Sequence, residues 1–148
     1  MVVQKAGCES GEMPMPYWKL YHHFVWGTKN RMPLIDSIIE PDLHRVIAVK
    51  AQNMGGFVRA LGGTVGHAHL TVSIPPKLAP AKFTGDVKGN GSHCVNHVIK
   101  PGFKFYWQDE YGVLSFGEQN LASVVRYIHN QKRTPYGRDV DRGDGADG

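Results

Sequence analysis

Two histidines separated by one residue stand in the middle of a β-like run, in the segment GTVGHAHLTVSIPPK. Successive side chains of a strand point to opposite faces of its sheet, so His67 and His69 share one face, about 7 Å apart. Two imidazoles placed in this way can bind one divalent cation such as Mn²⁺ or Zn²⁺. A half-exposed strand with polar residues on its outer face explains the same pattern, so both interpretations stay open. The opposite face of the strand is continuously apolar and predicts contact with the core, through Ala68, Leu70, Val72 and Ile74.

Other histidines compete for a role as metal ligands. His93 and His97 are four residues apart and share a face if their segment is helical. No glutamate completes an HExxH motif there, so two exposed side chains are the simpler interpretation. His22 and His23 are adjacent on a predicted strand and must point to opposite faces of it. At most one of these two can join the H-x-H pair.

A helix near the end of the chain carries a second kind of chemistry. In the segment LASVVRYIHNQ, Tyr127 and Gln131 are one helical turn apart, at the edge of an apolar face. Both side chains can therefore project toward the surface on which the helix packs. The alternative is a boundary tyrosine that covers the edge of the core. The apolar face itself is formed at helical spacing by Leu121, Val124, Val125 and Ile128.

The composition is that of one globular domain. The chain has 148 residues, of which 41% are hydrophobic and 20% charged, and its net charge of +4 suits a polyanionic partner without requiring one. Cys8 and Cys94 do not form a disulfide framework. No segment approaches the roughly 18 apolar residues of a membrane span, and no signal-peptide core is present. We therefore expect a cytoplasmic protein.

Changes in periodicity divide the chain into a leader, a domain and a tail. Residues 1–16 have no periodicity and end in a proline-rich stretch, which predicts a flexible leader. Residues 17–135 are predicted to form the single folded domain, which carries the candidate catalytic residues described above. Residues 136–148 are rich in glycine and aspartate, which predicts a flexible tail. The spacing of its aspartates does not match a calcium-binding loop.

The order of predicted elements indicates the fold. A strand over Tyr17–Lys29 is followed by a helix with Asp36 or Ser37 as its N-cap, and then by a hairpin of two strands around a glycine turn. A second helix begins after Pro80, although the glycines of KGNGS weaken its middle. Short β pieces and a final helix, stopped by Pro135, complete the chain. This order predicts an α+β fold, a ferredoxin-like βαββαβ sandwich with an antiparallel sheet, helices on one face and an additional C-terminal helix.

Taken together, these motifs resemble a known family. The segment GHAHL, the later segment YIHNQ and the opening YWKLYHHFVWGTKNRMPLI are similar to the small single-tyrosine HUH transposases. These are the enzymes of simple bacterial insertion sequences and their REP-associated relatives. The resemblance covers residues 16–133. It implies the ferredoxin-like fold, a homodimer, and activity on single-stranded DNA and DNA hairpins.

The resemblance also implies roles for individual residues. His67, His69 and Gln131 are the expected ligands of a divalent metal, Mg²⁺ or Mn²⁺. Tyr127 is the expected nucleophile, which attacks a backbone phosphorus and forms a 5′-phosphotyrosine. Because a phenol is mostly protonated at neutral pH, the metal is expected to polarise the phosphate and stabilise the leaving oxygen. Basic residues expected to contact the DNA backbone are Lys29, Arg31, Arg59, Lys88, Arg126, Lys132 and Arg133.

Several residues depart from the family pattern. Ala68 replaces a larger aliphatic residue, Gly66 replaces a polar one, and KGNGS is rich in glycine for a helix that frames the active site in the family. These departures keep open a second hypothesis, a protein of the same fold that binds DNA hairpins or single-stranded DNA and has lost transposition. A third hypothesis is an unrelated metal-dependent hydrolase built on the H-x-H pair together with His93 and His97.

Overall fold

The elements follow one another in the order that the sequence predicts. A computed structural model describes residues 19–131, so the predicted leader and tail lie outside the described residues. Within the described range no helix has the length and hydropathy needed to cross a membrane. The strands are β1 (Tyr21–Gly27), β2 (Phe57–Thr64), β3 (His67–Ser73) and β4 (Gly112–Phe116). The helices are α1 (Ile39–Asn53), α2 (Pro80–Cys94) and α3 (Leu121–His129).

The strands form a single antiparallel sheet in the order β2-β3-β1-β4. This α+β arrangement confirms the predicted ferredoxin-like sandwich. The strand that carries the H-x-H pair, β3, lies between β1 and β2, so both of its edges are hydrogen-bonded. Residues on β3 therefore have fixed partners on two sides, which restricts where their side chains can point.

The core lies between one face of the sheet and the helices α1 and α2. Strand alternation directs the apolar residues of β1 and β3 to this face, where they meet the apolar stripes of the two helices. Fully buried members of this core include Phe24, Leu70, Val72, Leu43, Ile47, Phe83 and Val87. The entry to α1 is fixed by Asp36, whose Oδ1 accepts hydrogen bonds from the backbone N–H groups of Ile38 and Ile39, at 3.0 and 2.9 Å. Of the two predicted N-cap residues, Asp36 is therefore the one that caps.

The glycines of KGNGS do not interrupt α2, which continues from Pro80 to Cys94. Gly91 is buried, and a Cβ added there would lie 3.0 Å from Leu43 Cδ1. The absence of a side chain at Gly91 thus lets α1 and α2 approach closely. Packing between α1 and α2 offsets the low helix propensity of the glycines in KGNGS.

The third helix, α3, lies on the sheet face opposite the core helices. It is shorter than predicted, because Asn130 leaves the helical conformation with φ −92° and ψ 0°, and Gln131 follows the end of the helix. Ile128 is buried against Gly62 of β2, where an added Cβ would lie 2.9 Å from both Ile128 Cγ2 and the Ile128 carbonyl oxygen. The backbone of α3 therefore rests directly on the sheet at Gly62.

We predict that Gly62→Ala destabilises the protein, because the new methyl group must push the α3 backbone away from β2. Overpacking of this kind typically costs about 1–3 kcal/mol of unfolding free energy, to be measured by urea denaturation. Gly85→Ala is the matched control, since Gly85 lies in α2 with open space around it. The control should instead be more stable by about 1 kcal/mol through helix propensity. A Gly62→Ala protein as stable as the wild type would show that the close approach of α3 is not a feature of the fold.

Candidate active site

His67 and His69 lie together on the sheet face that α3 covers. Their ring centroids are 4.9 Å apart, and the intervening Ala68 is fully buried on the core side. The face is less open than a polar strand face usually is, because β3 is central and α3 crosses it. His69 is only 5% exposed, and its neighbour on the same face, Thr71, is fully buried. These polar groups therefore sit in a desolvated environment.

Strand alternation brings His23, and not His22, to the same face. His22 lies on the core side of β1, with its ring centroid 5.8 Å from that of Phe24. His23 Nε2 is 2.9 Å from His69 Nδ1, so the two imidazoles are hydrogen-bonded. The sequence allows one of the two adjacent histidines to join the H-x-H pair, and the strand register selects which one.

Both histidines of the H-x-H pair have their Nδ1 atoms engaged by neighbours. His67 Nδ1 lies 3.0 Å from Thr64 Oγ1, on the adjacent strand β2. The side chain of Gln131 also hydrogen-bonds to His67. By contrast, His69 Nε2 is buried and has no hydrogen-bond partner within the described residues. A buried polar atom left in this way is expected where a ligand completes the site.

Tyr127 reaches this group from α3 of the same chain. Its ring centroid lies 5.7 Å from that of His69 and 6.3 Å from that of His23, with the rings nearly perpendicular. Half of the side chain, 53%, is exposed to solvent. The tyrosine therefore borders the histidine cluster and remains open on its other side. His67, His69 and Tyr127 line an open pocket of about 580 Å³.

Arg31 forms part of the same pocket and is held there by an unusual turn. Asn30 and Arg31 both have positive φ angles, 57° and 56°, which are uncommon for residues with side chains. The turn is anchored at Thr28, whose backbone N–H donates to the Gly66 carbonyl at 2.9 Å and whose hydroxyl donates to the Met32 carbonyl at 2.6 Å. Strained backbone that is fixed from several sides is often found where a side chain has a functional position.

The electrostatic environment keeps the histidines uncharged. Burial, with smaller contributions from the charges of His67 and His23, lowers the pKa of His69 to about 3. Burial and the positive charge of Arg31 also lower the pKa of His67, against the opposing effect of its hydrogen bond with Gln131. Neutral imidazoles have a free ring lone pair, which is the form that binds metal ions.

The residues present fit a divalent metal with open coordination positions. Among residues 19–131, no three or more His, Cys, Asp or Glu side chains are arranged to hold a metal ion. The predicted donor set is instead two imidazoles and the amide of Gln131. The buried, unpaired Nε2 of His69 supplies one free donor atom. Such a set is too small for a closed structural site and leaves positions for substrate oxygens.

The other basic residues predicted to contact DNA occupy several different environments. Lys29 and Arg126 are exposed, and Lys132 and Arg133 lie outside the described residues. Arg59 is stacked over the ring of Phe57, 3.9 Å from its centroid. Among the described residues predicted to contact DNA, Arg31 is the cation that lines the pocket.

Lys88 holds a loop beside the pocket. Its ammonium donates to three successive backbone carbonyls, those of Gln108, Asp109 and Glu110, at 2.7 to 3.3 Å. Two of these loop residues, Gln108 and Glu110, line the pocket. The geometry of Lys88 thus supports a structural role in shaping the pocket wall.

The third hypothesis, a hydrolase that combines the H-x-H pair with His93 and His97, is not supported by this geometry. His93 and His97 lie close together, with ring centroids 4.5 Å apart, and are exposed. They belong to α2 and the turn after it, and α2 packs on the core face of the sheet. The sheet therefore separates them from the H-x-H pair.

Comparison with known families identifies the class of protein that this fold and site define. The family model described as "Transposase IS200 like" matches residues 16–131. This match covers most of the chain and all of its described residues. The protein belongs to the IS200-like transposase family.

Individual relatives agree with this assignment. The ISDra2 transposase TnpA of Deinococcus radiodurans is 24% identical over 120 residues, which are 77% of this chain and 85% of that protein. The crystal structure of a candidate transposase from Deinococcus radiodurans R1 superimposes with a TM-score of 0.61 at 24% identity, covering 84% of this chain and 98% of that one. A REP-associated tyrosine transposase bound to a REP hairpin gives a TM-score of 0.62 at 16% identity, covering 84% and 73%. These structures share the fold.

We predict that the metal-free protein loses stability as the pH falls below neutral. The unfolded chain binds a proton at His69 near the ordinary pKa of 6.5, whereas the folded chain does not until about pH 3. Stability is thus fully present above pH 6.5 and declines toward pH 3, by up to about 1.4 kcal/mol per pH unit for one such group. Urea denaturation in EDTA at pH 7, 6 and 5 measures the decline.

His69→Asn should reduce this dependence on pH, because the variant lacks the group that stays neutral in the fold. His93→Asn is the control, since His93 is exposed, and should keep the slope of the wild type. Equal slopes for all three proteins would contradict the assignment of the pH dependence to His69.

Proposed function

We propose that this protein is a single-strand DNA transposase that cleaves and rejoins DNA through a 5′-phosphotyrosine on Tyr127. The observation that carries the proposal is the position of Tyr127, whose ring lies 5.7 Å from that of His69 at the edge of an open pocket. A nucleophile next to uncharged imidazoles and a cationic side chain suits attack on a phosphodiester. Membership of the IS200-like transposase family supports the same chemistry.

The proposed site includes a divalent metal, Mg²⁺ or Mn²⁺. The residues that would hold it are His67, His69 through Nε2, and Gln131. When bound, the metal would polarise the phosphate oxygens and stabilise the charge on the leaving 3′-oxygen. The hydrogen bonds at the Nδ1 atoms of both histidines support this assignment, because they fix the orientation of the rings, and His69 Nε2 has no partner among the described residues.

The proposed reaction is an exchange of phosphodiester bonds. The Tyr127 Oη forms a bond to phosphorus while the bond from phosphorus to the 3′-oxygen breaks. The phenolic proton is released, and the 3′-oxygen takes up a proton and becomes a hydroxyl. The 3′-hydroxyl of another strand then attacks the phosphotyrosine and regenerates the phenol. Because one phosphodiester replaces another, the reaction needs no high-energy cofactor.

Arg31 is the residue best placed to bind the phosphate that reacts. It lines the pocket together with Tyr127 and His67, and its charge is felt at His67. A guanidinium offers paired N–H donors that match two phosphate oxygens. The exposed cations Lys29 and Arg126 would contact neighbouring phosphates along the strand. In this proposal the fixed turn at Asn30 and Arg31 serves to position the guanidinium.

The proposed DNA partner is a single strand that contains a hairpin. One structural neighbour is a REP-associated tyrosine transposase bound to a REP hairpin, and we extend that partner to this chain as a proposal. The homodimer implied by the family resemblance stays a prediction. The second candidate function, hairpin binding without transposition, differs from the first in a single observable property, the formation of a covalent adduct.

We predict that Tyr127→Phe abolishes covalent attachment to single-stranded hairpin DNA in the presence of Mn²⁺, because the phenolic oxygen is the nucleophile. The measurement is a denaturing gel of protein incubated with 5′- and 3′-labelled DNA. Tyr106→Phe is the matched control, since Tyr106 has nearly the same exposure, 51% against 53% for Tyr127. It should form the adduct at the wild-type rate. Salt-sensitive hairpin binding without an adduct in the wild type would instead favour the binding protein.

We predict that Arg31→Gln slows adduct formation by about 100- to 1000-fold, the range found when a charge-stabilising donor is removed. Adduct formation at saturating DNA separates this effect from weaker binding. Arg45→Gln is the control, because Arg45 is exposed on α1, on the opposite side of the sheet, and pairs with Asp42. An Arg31→Gln protein that reacts as fast as the control would remove Arg31 from the site.

A further inference from the structure

The contact between His23 and His69 joins a residue outside the proposed ligand set to one within it. Strand register pairs Val25 with His69 and His23 with Thr71, so His23 reaches His69 diagonally across the sheet face. His23 Nε2 lies 2.9 Å from His69 Nδ1, and the ring centroids are 5.1 Å apart. Because β1 and β3 are hydrogen-bonded along their length, this contact is fixed by the sheet.

The hydrogen bond between the two imidazoles contains one proton. Two ring nitrogens 2.9 Å apart require one N–H donor and one lone-pair acceptor, and a neutral imidazole carries a single N–H. Either His69 donates its Nδ1–H to His23, or His23 donates its Nε2–H to His69. The two arrangements differ at the far nitrogen of His69. In the first, Nε2 has a lone pair; in the second, it has a hydrogen.

The surroundings of His69 Nε2 favour the first arrangement. This atom is buried and has no hydrogen-bond partner among the described residues. An N–H at that place would be a buried donor without an acceptor, which a metal ion cannot relieve. A lone pair at the same place becomes satisfied when a metal ion binds. In the neighbouring His67, Nδ1 is likewise the ring nitrogen with a side-chain partner, since it lies 3.0 Å from Thr64 Oγ1.

We propose that His23 is a positioning residue, whose Nε2 accepts the Nδ1–H of His69 and holds His69 in the tautomer that presents its Nε2 lone pair to a divalent metal. The consequence for metal binding rests on the proposed function. The argument for the tautomer uses the same metal site, but the tautomer is measured in the metal-free protein, so its test does not depend on metal binding. Metal-binding histidines usually donate their second N–H to a carboxylate, a carbonyl or water, and here a second imidazole takes that place.

The tautomer is tested by long-range ¹H–¹⁵N correlation spectra of the metal-free protein, with the His69 signals assigned through their loss in His69→Asn. In the wild type we expect a proton on His69 Nδ1 and none on Nε2. His23→Gln keeps an acceptor on the same side chain and should retain this tautomer, whereas His23→Leu should shift His69 toward the Nε2–H form. His22→Gln is the matched control on the opposite face and should leave the spectrum of His69 unchanged. An Nε2–H form of His69 in the wild type overturns the proposal.

Metal affinity provides a second readout, measured as free Mn²⁺ by electron paramagnetic resonance. We expect His23→Leu to raise the Kd about 10- to 100-fold, and His23→Gln to raise it less, as found for groups that orient metal ligands. Thermal unfolding of each variant confirms that it is folded. A folded His23→Leu protein with the altered tautomer and the wild-type Kd would contradict the positioning role. Failure of the wild type to bind Mn²⁺ would contradict the metal site of the proposed function, while the tautomer measurement would still decide the role of His23.

Discussion

The direct contact between α3 and the sheet at Gly62 is the interaction on which the candidate site depends. Because Gly62 has no side chain, the Ile128 backbone rests on β2, and the preceding residue, Tyr127, is carried to the edge of the histidine cluster. The sheet supplies the histidines from a rigid, doubly paired strand. The helix supplies the tyrosine from about 60 residues further along the sequence. One close contact therefore determines whether the two halves of the site meet.

The same packing determines the electrostatics of the site. With α3 over the sheet, His69 is nearly excluded from water, and its pKa falls to about 3 for that reason first. An uncharged imidazole without a partner at Nε2 suits a metal ion better than it suits water, and it adds no positive charge of its own. Arg31 supplies the positive charge at the mouth of the pocket. In the proposed function, the site thus separates the ligands of a cation from the side chain that would bind an anionic phosphate.

Local periodicity is sufficient to predict the strand faces but not the contacts between distant elements. Alternation in GHAHLTVSI predicts that His67 and His69 share a face opposite Leu70, as the structure has it. It cannot choose between His22 and His23, because the choice depends on how β1 is registered against β3. Nor does it predict Thr64 as a partner of His67, since that pairing comes from the β2–β3 hairpin register.

The most direct test of the account is to map the covalent adduct within the protein. Trypsin cleavage after Arg126 and Lys132 yields a peptide, residues 127–132, whose single tyrosine is Tyr127. After incubation with single-stranded hairpin DNA and Mn²⁺, followed by nuclease digestion, mass spectrometry should find a nucleotide attached through its 5′-phosphate to this peptide. A nucleotide on a peptide that contains another tyrosine, or an unmodified 127–132 peptide when DNA has been cleaved, would contradict the account.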